Sequence, residues 1–214
     1  MTVRQRICRG LTLPVVGTVM VFTPMACADQ ESKTPAATSA GQERLKPPVL
    51  AGSDTLVEPT AGAEAVTYNP ALAPAGAAIL AAVTPSGYGS PRTVATLSVA
   101  GLLPNRGYAV HAHTNACGTT GEDAGPHYQN RIDPAATPQA PSTNPEYANP
   151  HNEIWLDIRT DADGSTSIRT TVPFSFTDRT PGSIVVHEAE TTATAPGQAG
   201  YAGARIACLT LTPQ

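Results

Sequence analysis

The sequence of 214 residues is poor in charge, in aromatic residues and in lysine. Charged residues make up 14% of the chain and aromatic residues 5%, and its two lysines, Lys33 and Lys46, both precede residue 62. From Gly62 to the end, seven arginines stand against twelve acidic residues, which leaves a net charge of −5. A nucleic-acid partner requires a basic face, so this balance argues against one.

Several motifs of catalysis are also missing. The chain has no nucleophile elbow, no phosphate-binding loop, and no serine or cysteine placed beside a histidine in a way that indicates covalent catalysis. No segment shows a convincing helical period. The informative features that remain are the β-strand patterns of the chain and its five histidines, all from position 111 onward.

Residues 1–27 are predicted to be an export signal. A basic start is followed by an apolar run over residues 11–22, which is too short to serve as a permanent membrane span. The run ends in Pro-Met-Ala-Cys, which resembles a bacterial lipoprotein box with Cys27 as the lipid anchor; the alternative is ordinary cleavage near Ala26 or Ala28. We therefore expect an exported protein, either held at the outer face of the cytoplasmic membrane or secreted.

The rest of the chain divides into a tether and a domain. Residues 28–61 are rich in Ala, Thr, Pro, Ser, Gln and Glu without a hydrophobic period, which predicts a disordered tether. Residues 62–214 alternate apolar and polar positions between Gly- and Pro-marked turns. About 150 residues suffice for one domain with a substantial core.

The four cysteines divide in the same way. Cys8 lies in the signal and Cys27 is the predicted anchor, which leaves Cys117 and Cys208 in the domain. An even pair in an exported domain is typical of a disulfide. Because it would close a long loop, the chain-entropy model gives it roughly 4–5 kcal/mol of stabilisation.

The domain is predicted to be an eight-stranded antiparallel β-sandwich or flattened barrel, because short alternating segments recur between turns. The stretch over residues 114–150 has no strand pattern, and a loop of that length is expected to be functional. Segments 154–158 and 167–176 are predicted to form a hairpin around the turn at Asp161–Gly164. The predicted strands are 65–68, 77–83, 93–99, 107–113, 154–158, 167–176, 183–188 and 204–212.

One predicted strand carries two histidines. His111 and His113 are two residues apart, so they project from the same face, about 6.7 Å apart along the strand. Val110 and Ala112 then face the core. Two imidazoles on one face can hold a metal ion, although two polar residues on a hydrated sheet face would show the same spacing.

An ordered set of motifs favours a metal site over a hydrated sheet face. A His-x-His over residues 111–113 is followed by Cys117, a Gly-Pro-His ending at His127, a Val-Val-His-Glu containing His187, and an Ala-Gly-x-Arg-x-x-Cys over residues 202–208. In this order the set resembles the Cu/Zn superoxide dismutase family over residues 62–214. The resemblance implies Greek-key connections between the strands and an oxidoreductase that converts superoxide to O₂ and H₂O₂.

The resemblance also implies roles for individual residues. His111, His113, His127 and His187 would bind copper, and four imidazoles suit Cu(II). Zinc cannot change its oxidation state, whereas dismutation needs a metal that alternately takes and gives one electron. By its match to the family's bridging histidine, His127 would take up and deliver a proton, since imidazole titrates near neutral pH. Arg205 would guide the superoxide anion.

The motifs of the family's zinc site are incomplete. No histidine lies between His127 and His151, and Ile154 stands where the family has an aspartate. His151 remains a candidate zinc ligand, and Glu153 or Asp157 is a possible substitute for the missing carboxylate. We expect zinc to be absent, as in a copper-only branch of the family.

A second carboxylate of the family is missing as well. The family keeps an aspartate that links a copper ligand to a zinc ligand, but this chain has no aspartate after Asp178, and Glu190 is the nearest candidate. Residues 153–157 are predicted to alternate, with Ile154 and Leu156 facing the core and Trp155 facing outward, where a loop or a partner would cover it. A homodimer is one way to cover it.

Two other functions are compatible with parts of the pattern. The first is a copper-binding or copper-buffering protein on the same fold with little or no turnover, which the incomplete zinc site favours. The second is a metal-free structural sandwich, which gives no reason for four histidines at the family's positions. Arg205 favours the enzyme, because a cation beside bound Cu(II) does not help a buffer.

Overall fold

Antiparallel strands form almost all of the regular structure. The computed structural model describes residues 49–86, 91–137 and 139–214. One 3₁₀ helix spans Gly121–Ala124, and no helix in the described part is long and apolar enough to cross a membrane. The strands are β1 (Leu50–Thr55), β2 (Ala65–Thr67), β3 (Ala78–Ser86), β4 (Arg92–Ala100), β5 (Gly107–Tyr108), β6 (Val110–His113), β7 (Ile158–Arg159), β8 (Thr166–Val172), β9 (Ser183–His187), β10 (Arg205–Thr210) and β11 (Thr212–Pro213).

The strands assemble into two main sheets and one small one. The five-stranded sheet has the order β11-β1-β3-β4-β8, the four-stranded sheet has the order β2-β10-β9-β6, and β5 pairs with β7 alone. Every pairing between these strands is antiparallel. The predicted all-β antiparallel class is therefore confirmed, with eleven strands in the described residues instead of the eight expected.

The core lies between the two main sheets. Along β3 and β4 buried and exposed residues alternate, as expected of strands with one face on a core. Ile79 and Leu97 represent the buried positions of these strands, and Val110 of β6 and Ile184 of β9 belong to the same apolar cluster. The predicted inward orientation of Val110 and Ala112 is confirmed, since both are fully buried in it.

The four-stranded sheet is covered on its second face too. All five residues of β9 are buried. Ile184 and Val186 join the main core, whereas Val185 belongs to a second cluster with Cys208 and Ala124, the last residue of the 3₁₀ helix. The long loop after β6 therefore packs on the outer face of this sheet and shields it from water.

Strand β1 corrects the predicted domain boundary. It pairs with β3 along its whole length, so residues 50–55 belong to the domain and are not part of a disordered tether. Small residues allow this close packing, because a Cβ on Gly52 would clash with the Thr210 carbonyl oxygen. Such backbone packing leaves little hydrophobic signal in the sequence. The predicted signal, Cys27 and the tether up to residue 48 lie outside the described residues.

The hairpin predicted around Asp161–Gly164 is wrong in its pairing. The turn itself forms, and the Asp161 carboxylate accepts from the backbone N–H groups of Asp163 and Ser165 at 2.9 Å. However, β7 before the turn pairs with β5, and β8 after it pairs with β4. The chain thus changes sheets at the turn. The predicted strand 107–113 is likewise divided at Ala109 into β5 and β6.

Candidate metal centre

The structure places three of the predicted ligands on one face of two neighbouring strands. In the β6–β9 pair His111 lies opposite Val185, and His113 lies opposite Ser183. His187 ends β9, where its backbone N–H donates to the Ala109 carbonyl at 2.8 Å. Side chains of alternate residues share a face, so the three imidazoles project together from the outer face of the four-stranded sheet.

The fourth histidine comes from the long loop. The backbone N–H of Tyr128 donates to the Ala112 carbonyl at 2.8 Å, and the N–H of Thr114 donates to the Pro126 carbonyl at 3.0 Å. These two bonds lay the loop along β6 and direct His127 at the other imidazoles. One ring nitrogen from each of the four histidines then lies within 4.8 Å of the others.

The outer ring nitrogens of this four-histidine cluster have acceptors. His113 Nδ1 lies 2.8 Å from the Gly125 carbonyl oxygen, His187 Nδ1 lies 3.3 Å from that of Gly203, and His127 Nδ1 lies 2.9 Å from Glu153 Oε2. Oxygens of this kind only accept, so each Nδ1 carries the proton. Each Nε2 then presents a lone pair to the centre of the cluster.

The inner nitrogens therefore lack hydrogen-bond donors. His113 Nε2 and His187 Nε2 face each other at 3.2 Å, and the buried His111 Nδ1 has no hydrogen-bond partner. Burial, followed by the neighbouring imidazoles, lowers the pKa values of His111 and His113 well below 6.5. Burial and His127 lower the pKa of His187 to about 3. Protons do not satisfy these lone pairs at neutral pH, whereas a metal ion does.

Copper fits this donor set. Imidazole suits copper, and copper binds more tightly than the other divalent first-row metals to a given nitrogen site. Among the described residues, the four-histidine cluster is the one group of at least three histidines, cysteines or acidic residues whose ligand atoms converge in this way.

The side of His127 that faces away from the cluster holds a carboxylate. Glu153 is 1% exposed, and its Oε2 accepts from His127 Nδ1 at 2.9 Å and from Trp155 Nε1 at 2.7 Å. Its Oε1 accepts from Gln129 Nε2 at 2.8 Å. These residues form the Glu153 network. Its carboxylate occupies the direction in which a second metal would have to approach His127.

The remaining candidates for a zinc site lie elsewhere. His151 is exposed and lies outside the four-histidine cluster, so the structure does not bring this predicted ligand to the site. Ile154 is fully buried in the apolar core. The described residues around His127 thus do not offer the ligands that the family uses for zinc.

Glu190 does not take the place of the family's linking aspartate. It is exposed and forms an ion pair with Arg159 at 3.1 Å. Instead, the outer nitrogen of His111, Nε2, lies 2.7 Å from Thr192 Oγ1, and Thr192 Oγ1 lies 2.8 Å from Asp157 Oδ1. Thr192 had no motif to mark it in the sequence.

Arg205 lies beside the cluster at the start of β10, opposite His187. The register of the β9–β10 pair shifts between Arg205 and Ala207, and such bulges commonly re-aim side chains next to active sites. Arg205 Nη1 donates to the Gly121 carbonyl at 2.6 Å. A Cβ on Gly121 would lie 2.8 Å from Arg205 Cβ, so this position favours glycine.

A cavity of about 430 Å³ opens over the cluster. His127, His187 and Arg205 line it together with Arg179, and Ile132 and Tyr201 are exposed apolar side chains on its wall. Arg179, like Tyr201, was not singled out by the sequence. The cavity connects the metal-binding side chains and two guanidinium groups to solvent, which allows a small anion to enter.

The predicted disulfide is confirmed. Cys117 and Cys208 are bonded, with their Cα atoms 5.8 Å apart and a sequence separation of 91 residues. Cys208 lies on β10 three residues after Arg205, and Cys117 lies four residues before Gly121. The bridge therefore holds the loop that carries the acceptor of Arg205 against the strand that carries Arg205 itself.

The family model of copper/zinc superoxide dismutase (SODC) matches residues 80–210, which is more than half of the chain. The chain belongs to the copper/zinc superoxide dismutase family. The match contains all four histidines of the cluster, both disulfide cysteines and Arg205. No match was found among curated proteins. Strands β1 and β2 precede the matched region.

Trp155 was predicted to face outward, and the structure differs in part. Its ring is half-buried against His111, with centroids 5.5 Å apart, and its Nε1 donates into the Glu153 network. The alternation of segment 153–157 was correct, since Ile154 and Leu156 are core residues. However, the metal centre covers the face opposite the core, and the two-residue period of a strand does not predict what covers that face.

Proposed function

We propose that this protein is a copper-dependent superoxide dismutase that uses no zinc. The observation that carries the proposal is the convergence of unprotonated imidazole nitrogens beside Arg205 at the base of an open cavity. Copper, when bound, would supply the one-electron oxidation and reduction that dismutation requires. Imidazole ligands and an adjacent guanidinium are the groups that such a reaction of an anion needs.

Arg205 would attract and orient superoxide. Burial lowers the pKa of Arg205, but a guanidinium remains charged at neutral pH. In a domain with a net charge of −5, this cation and Arg179 make the cavity the favourable place for an anion. The hydrogen bond to Gly121 leaves the other guanidinium N–H groups available to a ligand in the cavity.

His127 would handle the proton. Its side chain is 18% exposed, whereas those of His111 and His113 are fully buried. Glu153 holds its Nδ1 proton, so only Nε2 is free to gain or release a proton on the cavity side. Proton delivery from a partly exposed imidazole with a fixed tautomer suits the formation of H₂O₂.

The direct test is superoxide decay followed by stopped flow with the copper-loaded protein and with the same protein after chelation. We expect rapid, catalytic decay that depends on copper. A protein that binds one copper and leaves superoxide to decay at its uncatalysed rate would contradict the proposal and favour the copper-buffering alternative.

We further propose that the protein is exported, with Cys27 as its lipid anchor. The signal-like residues 1–27 and the Cys117–Cys208 disulfide support export, since disulfides persist in oxidising compartments. Cell fractionation tests the anchor: wild type is expected in the membrane fraction and Cys27→Ser in the soluble exported fraction. Equal distribution of the two would instead support ordinary signal cleavage. The homodimer stays a prediction, to be checked by sedimentation of the purified protein.

A further inference from the structure

The outer nitrogen of His111 ends in a chain of two hydrogen bonds. His111 Nε2 lies 2.7 Å from Thr192 Oγ1, and Thr192 Oγ1 lies 2.8 Å from Asp157 Oδ1. His111 is fully buried and Thr192 is 6% exposed, so water does not compete at the imidazole. These contacts lie on the side of His111 that faces away from the other three histidines.

The direction of both bonds follows from the chemistry of the groups. A carboxylate only accepts, so the Thr192 hydroxyl donates its proton to Asp157. The hydroxyl oxygen is then an acceptor for His111, which places the imidazole proton on Nε2. The lone pair of His111 consequently lies on Nδ1, the buried nitrogen without a hydrogen-bond partner that faces the cluster.

Backbone donors hold the carboxylate in place. Asp157 Oδ1 accepts from the Val110 N–H at 3.1 Å, and Oδ2 accepts from the Thr192 N–H at 2.8 Å. Asp157 is thereby tied both to β6, which carries His111, and to the loop after β9, which carries Thr192. Thr191 Oγ1 adds a longer contact to Oδ2 at 3.3 Å but does not contact His111.

We propose that Thr192 and Asp157 are positioning residues that fix His111 in the tautomer and orientation required of a metal ligand. The hydroxyl and carboxylate together replace the single linking carboxylate for which Glu190 is wrongly placed. The inference rests on the proposed copper site. Polarisation of an imidazole by an outer carboxylate raises the donor strength of its other nitrogen, and loss of such support typically lowers metal affinity 10- to 100-fold.

The test compares three variants at neighbouring positions. Thr192→Val keeps the branched shape but removes the hydroxyl, so Cu(II) affinity measured against a competing chelator is expected to fall about 10- to 100-fold. The Cu(II) EPR spectrum is expected to change with it. Thr192→Ser restores the hydroxyl and both properties. Thr191→Val removes a hydroxyl from the same carboxylate without touching His111 and is expected to behave as wild type.

A second measurement needs no metal. In long-range ¹H–¹⁵N spectra of the metal-free protein, His111 is expected as the Nε2–H tautomer in wild type and Thr192→Ser. In Thr192→Val the tautomer is expected to become mixed. The same spectra report whether each variant is folded; if Thr192→Val is not, Asp157→Asn, which weakens the acceptor, is measured in its place.

The outcomes separate the two proposals. The positioning role of Thr192 and Asp157 would be overturned if Thr192→Val kept the wild-type copper affinity, EPR spectrum and His111 tautomer. It would also be overturned if Thr191→Val lost as much copper affinity as Thr192→Val. If the wild-type protein binds no copper while the His111 tautomer still depends on Thr192, the positioning role of Thr192 is supported and the proposed copper function fails.

Discussion

The two sides of His127 meet opposite chemical environments. Toward the four-histidine cluster, lone pairs converge without donors, down to 3.2 Å between His113 Nε2 and His187 Nε2. Toward the Glu153 network, the imidazole N–H, an indole N–H and an amide N–H all donate to one buried carboxylate. The first side requires a cation for its polar atoms to be satisfied, whereas the second side is complete without one.

This difference is the basis for our proposal that this member of the family uses one metal. A buried polar group is costly unless it is paired, and the cost is removed by a ligand or by another side chain. Here the outer nitrogen of His127 is paired with Glu153, so the orientation of the imidazole no longer depends on a second ion. Single substitutions can disturb one side of His127 at a time.

The largest effect is expected from loss of a ligand in the cluster. His113→Gln should weaken copper binding by more than about a hundredfold, beyond the range for residues that only support ligands, and dismutation should be lost with it. His151→Gln is the matched control, because His151 is exposed and outside the cluster. Copper loss of similar size in both variants, measured by chelator competition, would contradict the assignment of ligands.

Disturbing the other side should have a smaller effect. In Glu153→Gln one carboxylate oxygen becomes an NH₂ group, which faces either the Gln129 amide or the N–H groups of His127 and Trp155, so the orientation of His127 is no longer fixed. We expect copper to remain bound and dismutation to fall about 10- to 100-fold. Glu146→Gln, an exposed glutamate of the same loop, is the control. Full activity of Glu153→Gln in stopped flow would mean that the network does not position His127.

Arg205→Ala should change the approach of the anion and leave the metal in place. We expect turnover to fall about tenfold and its dependence on ionic strength to flatten, because a steering charge has been removed. Rates measured across a salt series, with copper content determined on the same samples, test this. Arg131→Ala, at an exposed ion pair, should keep the wild-type salt dependence; a wild-type slope for Arg205→Ala would rule out the assigned role.

The last effect is a dependence of the stability of the metal-free protein on pH. The pKa values of His111, His113 and His187 are lowered, so the unfolded chain binds more protons than the folded one below about pH 6.5. The contribution of these neutral histidines to the free energy of unfolding is therefore fully present above that pH and is lost as the pH falls. The loss amounts to at most about 1.4 kcal/mol per pH unit for each buried histidine.

Urea unfolding between pH 7.5 and 5.5, above the range of carboxylate titration, measures this slope. His187→Gln should reduce the slope and His151→Gln should leave it unchanged. Bound copper should leave a slope at least as steep, because the liganded histidines of the folded protein stay unprotonated while those of the unfolded chain still take up protons. A free energy of unfolding of the metal-free protein that does not change between pH 7.5 and 5.5 would contradict the lowered pKa values of these histidines.

Much of the site was predictable because its signals are local. The spacing of His111 and His113 and the alternation of Ile154 and Leu156 depend only on the two-residue period of a strand. The Cys117–Cys208 pair followed from cysteine number and compartment. The order of the motifs identified the family, and the family model matches the same region.

The remainder depends on contacts that period and composition do not encode. Strand β1 was not predicted because Ala51, Gly52 and Ser53 pair with β3 through their backbones and show no hydrophobic alternation. The hairpin was mispaired because a turn does not specify which sheet receives the next strand. Thr192 could not be found, since a lone threonine becomes a histidine partner only when the loop after β9 returns to Asp157. Glu153 was noted only as a substitute zinc ligand, whereas in the structure it accepts from His127.

The most direct test of the account is competitive loading of the whole protein with equal copper and zinc. After dialysis, metal content and superoxide dismutation are measured on the same sample. We expect about one copper, no zinc and full activity, because Glu153 already pairs the outer nitrogen of His127. Equal copper and zinc, with the zinc lost in His151→Gln, would show that a second metal site persists and would contradict it.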